Sequence, residues 1–177
     1  MRERGLMETM EPIEELRYLV LAAQREGNRL LADGLQPLEL TPSQAEALRV
    51  LKDWEPLALV ELGSLLVCEQ GSPSRLVAGL ISAGYVERAP SLDDRRKVVL
   101  TLTSRGREVA ERVRVVETAL HTALSSLIAP HQLEELLPIF RRIVTGRPAG
   151  DALARRLGRL PLPAREDERR EDINAHN

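Results

Sequence analysis

The sequence predicts a mainly α protein with one small β-hairpin, an α+β fold. Three observations carry this. Apolar residues recur every three or four positions along most of the chain, the period of helices that bury one face. Two of these runs are short and separated by only a few residues. Directly after them the pattern switches to two β-rich runs, residues 85–88 and 98–102, flanking a polar stretch.

Taken in order, residues 12–31 read as a first helix. Ile13, Leu16, Leu19, Val20, Ala23, Leu30 and Leu31 form one apolar stripe, Pro12 suits the first turn, and Gly34 lies just past the expected end. Thr41, Pro42 and Gln44 form a T-x-x-Q capping box with proline at the first helical position. Ala45, Leu48 and Leu51 give that second helix its inner face, and Pro56 closes it. Residues 58–66 predict a short helix packed through Leu59, Leu62, Leu65 and Leu66. Residues 72–83 predict another, with Leu76, Val77, Leu80 and Ile81 inward and Gly84 at its C-terminal end. Two short helices with so brief a connection make a helix-turn-helix over residues 58–83.

The β-rich runs, with a charged tip over residues 89–97, predict a hairpin over 85–102. A hairpin placed directly after a helix-turn-helix is a wing. Thr103 can cap a long helix along which Val109, Val113, Val116, Leu120, Leu124 and Leu127 form a near-heptad stripe, suited to packing on another helix or on a second subunit. Pro130 opens a last amphipathic helix with Leu133, Leu136, Leu137, Phe140, Ile143 and Val144 expected inward. Pro138 should kink or break it, and Gly146 and Pro148 end it. The architecture expected is a winged helix-turn-helix whose N- and C-terminal helices, over about 12–31 and 103–145, form a dimerisation region. Residues 1–145 then make a single domain. Residues 146–177 are an extension, with a short basic helix over 149–160 carrying Arg155, Arg156 and Arg159, followed by a mobile tail.

Composition narrows the function. Of the 177 residues, 43% are hydrophobic, enough for a core, but only Tyr18, Trp54, Tyr85 and Phe140 are aromatic. Four aromatics cannot build the stacking platform that binds single-stranded nucleic acid. Cys68 is the sole cysteine, so no internal disulfide forms and a reducing compartment is expected. The N-terminal segment reads as no export signal, and nothing approaches the roughly 20 apolar residues of a membrane span; a cytoplasmic location is expected. The net charge of −2 is unevenly spread: residues 1–69 carry −6, residues 70–114 carry +4, and the remainder is neutral. A local basic segment on an acidic chain can focus a polyanion onto one face.

That segment contains the second helix of the helix-turn-helix and the wing. A recognition helix needs small or polar residues near its N-terminus to reach base edges in the major groove. Gln70, Ser72, Ser74 and Arg75 supply them, with Pro73 in the first turn. Arg95, Arg96 and Lys97 sit at the wing tip, where long cations can enter a narrow minor groove.

The run from Leu59 through Gly84-Tyr85-Val86-Glu87-Arg88 to Asp94-Arg95-Arg96-Lys97-Val98-Val99-Leu100-Thr101-Leu102-Thr103 resembles the MarR family of regulators. The family's marks are a G-[LY]-V-x-R segment, a D-x-R wing and a terminal L-T before a long helix. The resemblance covers about residues 12–145. It implies that Asp94 shapes the wing through a salt bridge, that Arg96 reaches DNA, and that the first, fifth and sixth helices pair two subunits. It also implies a small-molecule effector, aromatic or anionic. Tyr18 and Trp54 are candidates to line its pocket, with core packing the competing role.

The partners expected are therefore double-stranded DNA and a second copy of the chain, with no cofactor, no metal and no membrane. Cys68 reads as a small packing residue in the turn rather than a redox sensor. His121 and His131 have no ligand spacing with any cysteine or carboxylate. No phosphate loop, nucleophile elbow or metal motif suggests an enzyme. A winged helix serving only protein contacts would show an acidic or apolar recognition helix and a wing without arginines; this sequence has the opposite.

Overall fold

The computed structural model describes residues 10–68, 71–91 and 97–163. Its elements are α1 (Pro12–Leu35), a 3-10 turn (Gln36–Leu38), α2 (Pro42–Trp54), α3 (Leu59–Leu65), α4 (Pro73–Ser82), β1 (Val86–Pro90), β2 (Val98–Leu102), α5 (Ser104–Ser125), α6 (Pro130–Val144) and α7 (Pro148–Arg156). The mainly helical fold with one antiparallel hairpin is the one the sequence predicts. No helix among the described residues is long and apolar enough to cross a membrane.

Local chemistry explains most element ends. The capping box of α2 is formed: the Gln44 N–H donates to Thr41 Oγ1 at 3.3 Å, and Thr41 N–H donates to Gln44 Oε1 at 2.9 Å. At α3 the Glu61 carboxylate accepts the Ala58 N–H at 2.6 Å. Gly84 ends α4 at φ +74°, a conformation that costs glycine nothing. Thr103 caps α5 by accepting the Gly106 N–H at 3.0 Å, while its hydroxyl donates to Gly84 O at 2.7 Å.

One core binds α2, α3, α4, the hairpin and the first half of α5. Leu48, Leu51, Leu62, Leu65, Leu80, Leu102 and Val113 are fully buried in it. The hairpin pairs Val86 with Leu102 through Pro90 with Val98. Leu57 adds a bridge on the other side of β2, with Leu100 N–H donating to Leu57 O at 2.8 Å. β1 is thus an edge strand, which is where a proline such as Pro90 is tolerated, and the strand reaches two residues further than the predicted run. Glu55, at the end of α2, accepts the Leu102 N–H at 2.6 Å and pairs with Arg107 of α5.

Several expectations are corrected. Gly34 lies inside α1 rather than beyond it. A Cβ there would stand 2.7 Å from Val116 Cγ1 of α5, so the glycine permits close helix approach instead of ending the helix. Pro138 does not break α6. It removes a single N–H, and the carbonyl left over belongs to the exposed Glu134, where water can solvate it. The apolar stripe of α6 does not face inward: no residue of that helix is buried, and Leu133, Leu136, Leu137, Phe140 and Ile143 are exposed. The outer half of α1 behaves alike, with Ile13, Leu16, Leu19 and Val20 exposed. Amphipathicity marks these faces as apolar, but among the described residues nothing covers them. The extension's helix starts at Pro148 and ends at Arg156, leaving Arg159 beyond it.

Candidate nucleic-acid interface

The turn between α3 and α4 is organised from α2. Glu46 is 7% exposed, an unusual place for a carboxylate unless its lone pairs are filled. Its two oxygens accept the Val67 N–H at 2.9 Å and the Cys68 N–H at 2.8 Å. The remaining demand is met by Arg156, whose guanidinium donates at 2.9 Å. Two charge-assisted bonds to successive backbone amides hold the chain where it leaves α3 for α4.

Cys68, expected to pack as a small apolar residue, is exposed, because Glu46 rather than apolar contact holds this turn. Partial burial of its sulfur, and then the Glu46 carboxylate beside it, push the thiol from the ordinary 9.0 up to about 11. Both causes disfavour the thiolate. Going from 9.0 to about 11 leaves about a hundredfold less thiolate at pH 8. Alkylation of Cys68 is therefore expected to be about a hundredfold slower at pH 8 than that of an ordinary exposed thiol, with its rate still climbing above pH 10. A rate that levels off near pH 9 would mean that neither burial nor Glu46 holds the sulfur as described.

α4 follows this turn. Ser72 is its N-cap but makes no side-chain capping bond, so the hydroxyl is not consumed by the helix. Ser72, Ser74 and Arg75 are exposed at the helix start. Pro73 is half-buried, its ring against Gly63 of α3, so its contact is with the first helix of the pair. Ala78, Gly79 and Ser82 continue the exposed face one turn and two turns on from Arg75. Attention to the N-terminus alone passes over these three. The signal for them is the i, i+3, i+4, i+7 spacing of small residues from Arg75. The face they make is smooth and narrow, which lets a helix backbone seat deeply in a groove.

At the wing, the Ser91 N–H donates to Lys97 O at 2.8 Å, closing the hairpin below its tip. Lys97 is half-buried, and Arg88 is exposed on β1. Gln70, Asp94, Arg95 and Arg96 lie outside the described residues, as does the tail over 164–177. The wing base is held by Tyr85 and α5. Arg105 stacks over the Tyr85 ring at 4.9 Å and donates to Ala83 O at 3.3 Å. A cleft of about 530 Å³ runs between the 3-10 turn and α5, with Tyr85, Arg105 and Arg112 in its wall. Tyr18 is exposed on α1 beneath Arg17, and Trp54 packs against the core. Neither lines this cleft. Among the described residues no cluster of His, Cys, Asp and Glu could hold a metal ion.

A buried helix-turn-helix, an exposed small-residue face on its second helix and a hairpin directly after it define a winged helix-turn-helix protein. Residues 40–98 match the MarR family. The chain is 31% identical to the multiple antibiotic resistance protein MarR of Salmonella typhimurium, over 57% of this chain and 68% of that one. It is 33% identical to the HTH-type transcriptional repressor Rv2887 of Mycobacterium tuberculosis, over 70% and 87%. A solved structure of a cysteine-to-serine variant of MarR from E. coli, complexed with operator DNA, superposes with a TM-score of 0.65 at 28% identity, covering 75% of this chain and 95% of that one. The chain belongs to the MarR family.

Proposed function

We propose that the protein is a sequence-specific, double-stranded DNA-binding transcriptional regulator, a repressor that acts as a homodimer and responds to a small molecule. The observation that carries the DNA reading is the exposed face of α4, running from Ser72, Ser74 and Arg75 through Ala78 and Gly79 to Ser82, beside a wing whose tip sequence is Asp94-Arg95-Arg96-Lys97. α4 enters the major groove, and the wing cations follow the adjacent minor groove. Membership of a family whose E. coli member has been crystallised on operator DNA supports it.

Pairing of two chains is supported by the uncovered apolar faces of α1, the end of α5 and α6. One recognition helix reads too few base pairs, so a two-fold dimer on half-sites about one helical turn apart is the geometry that fits. A small aromatic or anionic effector would act by changing the spacing of the two recognition helices, a rigid-body shift.

Fluorescence anisotropy with duplex from the region upstream of its own gene, against a scrambled duplex across a salt series, tests this reading. Selective binding that weakens steeply with salt is expected. No binding at low salt would leave only the protein-contact role. On the same duplex, Arg75→Ala is expected to reduce affinity by about 5- to 150-fold, the equivalent of roughly 1–3 kcal/mol for a lost base contact. Arg96→Ala should weaken binding as well, with the melting temperature unchanged in both. Wild-type affinity in Arg75→Ala would remove the helix start from the interface.

A further inference from the structure

The helix that opens the C-terminal extension, α7, is not a free appendage. α7 is seated between α6 and α3, and its two faces make different kinds of contact. On the α6 side, Gly146 turns the chain at φ +70°. Gly150 then packs so closely that a Cβ there would lie 2.0 Å from Val144 O and 2.7 Å from Val144 C. On the α3 side, Ala152 is buried, and Arg155 donates to Ser64 O at 3.5 Å. From the last turn, Arg156 reaches the buried Glu46.

Glu46 is the residue whose carboxylate holds the Val67 and Cys68 amides. Removing its cation would leave a buried charge short of a partner, and would loosen the carboxylate that anchors the turn aiming α4. We propose that α7 is a strut. It ties the helix-turn-helix to α6 through Arg156 and Glu46, so that Arg156 positions the recognition helix although it lies more than seventy residues downstream in the chain. α6 carries one of the uncovered apolar faces, so the strut links the pairing region to the element that meets DNA. The consequence for affinity rests on the DNA-binding reading above; the mechanical link does not.

The test uses the full chain as wild type, Arg156→Ala, Arg156→Lys and Gly150→Ala. Hydrogen exchange is read at individual amides, and affinity is read on the upstream duplex. In Arg156→Ala and Gly150→Ala, the Val67 and Cys68 amides are expected to exchange on the order of tenfold faster, while amides in the middle of α5 keep wild-type rates. Affinity should fall by about 5- to 150-fold, the usual size of a coupling between distant elements. Arg156→Lys, which keeps the charge, should recover part of both losses.

Unchanged exchange at Val67 and Cys68 in Arg156→Ala would overturn the strut. So would exchange that rises uniformly through the whole lobe, since that is general destabilisation. Faster local exchange with wild-type affinity would overturn the positioning role. If the wild-type protein bound no duplex, the DNA reading would fail, and the exchange data would still decide the mechanical link.

Discussion

Gly106→Ala is expected to destabilise the protein by about 3 kcal/mol and lower its melting temperature by roughly 10 °C. Helix propensity alone would give the opposite sign, because alanine is better than glycine in a helix by about 1 kcal/mol. The neighbourhood decides against propensity. A Cβ on Gly106 would lie 1.9 Å from Tyr85 O and 2.9 Å from Tyr85 C, and both are backbone atoms that no rotamer change can move. The same carbonyl accepts the Thr103 N–H at 3.0 Å. To relieve the clash, the first turn of α5 must lift from the start of β1, giving up the Thr103 cap, itself worth about 1 kcal/mol. The wing base moves with it, so operator affinity should fall too. Thermal unfolding followed by circular dichroism checks this. A variant as stable as wild type would show that α5 and Tyr85 are further apart than described.

The second large effect concerns pairing. If the uncovered faces pair two chains as proposed, Phe140→Asp is expected to weaken that pairing by about a thousandfold or more. A large anchor lost at an interface costs about 2 kcal/mol, and in a two-fold contact each substitution occurs twice. Phe140 lies among Leu133, Leu136, Leu137 and Ile143 on a helix with no buried residue. An aspartate there costs the isolated chain little and the pair a great deal. Sedimentation should show monomers with unchanged helix content, and operator binding should be lost together with the dimer. A variant that remains dimeric at micromolar concentration would place the interface elsewhere. Loss of helix content would instead show that Phe140 supports its own chain.

These two residues differ in how far the sequence announces them. Phe140 belongs to an apolar stripe, so its period makes it visible. Gly106 is silent in the sequence, because its role depends on where the Tyr85 carbonyl passes. The same division runs through the proposed DNA-binding face. That Ser72, Ser74 and Arg75 stand exposed at a helix start follows from their place in the sequence, and Ala78, Gly79 and Ser82 lie one step further along the same period. Glu46 was not legible at all. It reads as a surface charge on an amphipathic helix, and its partner Arg156 lies 110 residues further along the chain.

The elements themselves follow from short-range chemistry. The Thr41–Gln44 box, Gly84 after α4, the Thr103 cap and the switch of period at Tyr85 each involve residues a few positions apart, so the sequence carries them complete. What a face packs against is a different kind of information. The stripe of α5 looks uniform from Val109 through Leu124, yet Val109 and Val113 sit in the core while Leu124, and Leu127 just past the helix end, are exposed. Periodicity reports that a face is apolar and is silent about what covers it, since the hydrophobic effect has no direction. Gly34 against Val116, Leu57 beside Leu100 and Arg156 on Glu46 are settled by long-range packing. Their energies exist only once distant segments have been brought together.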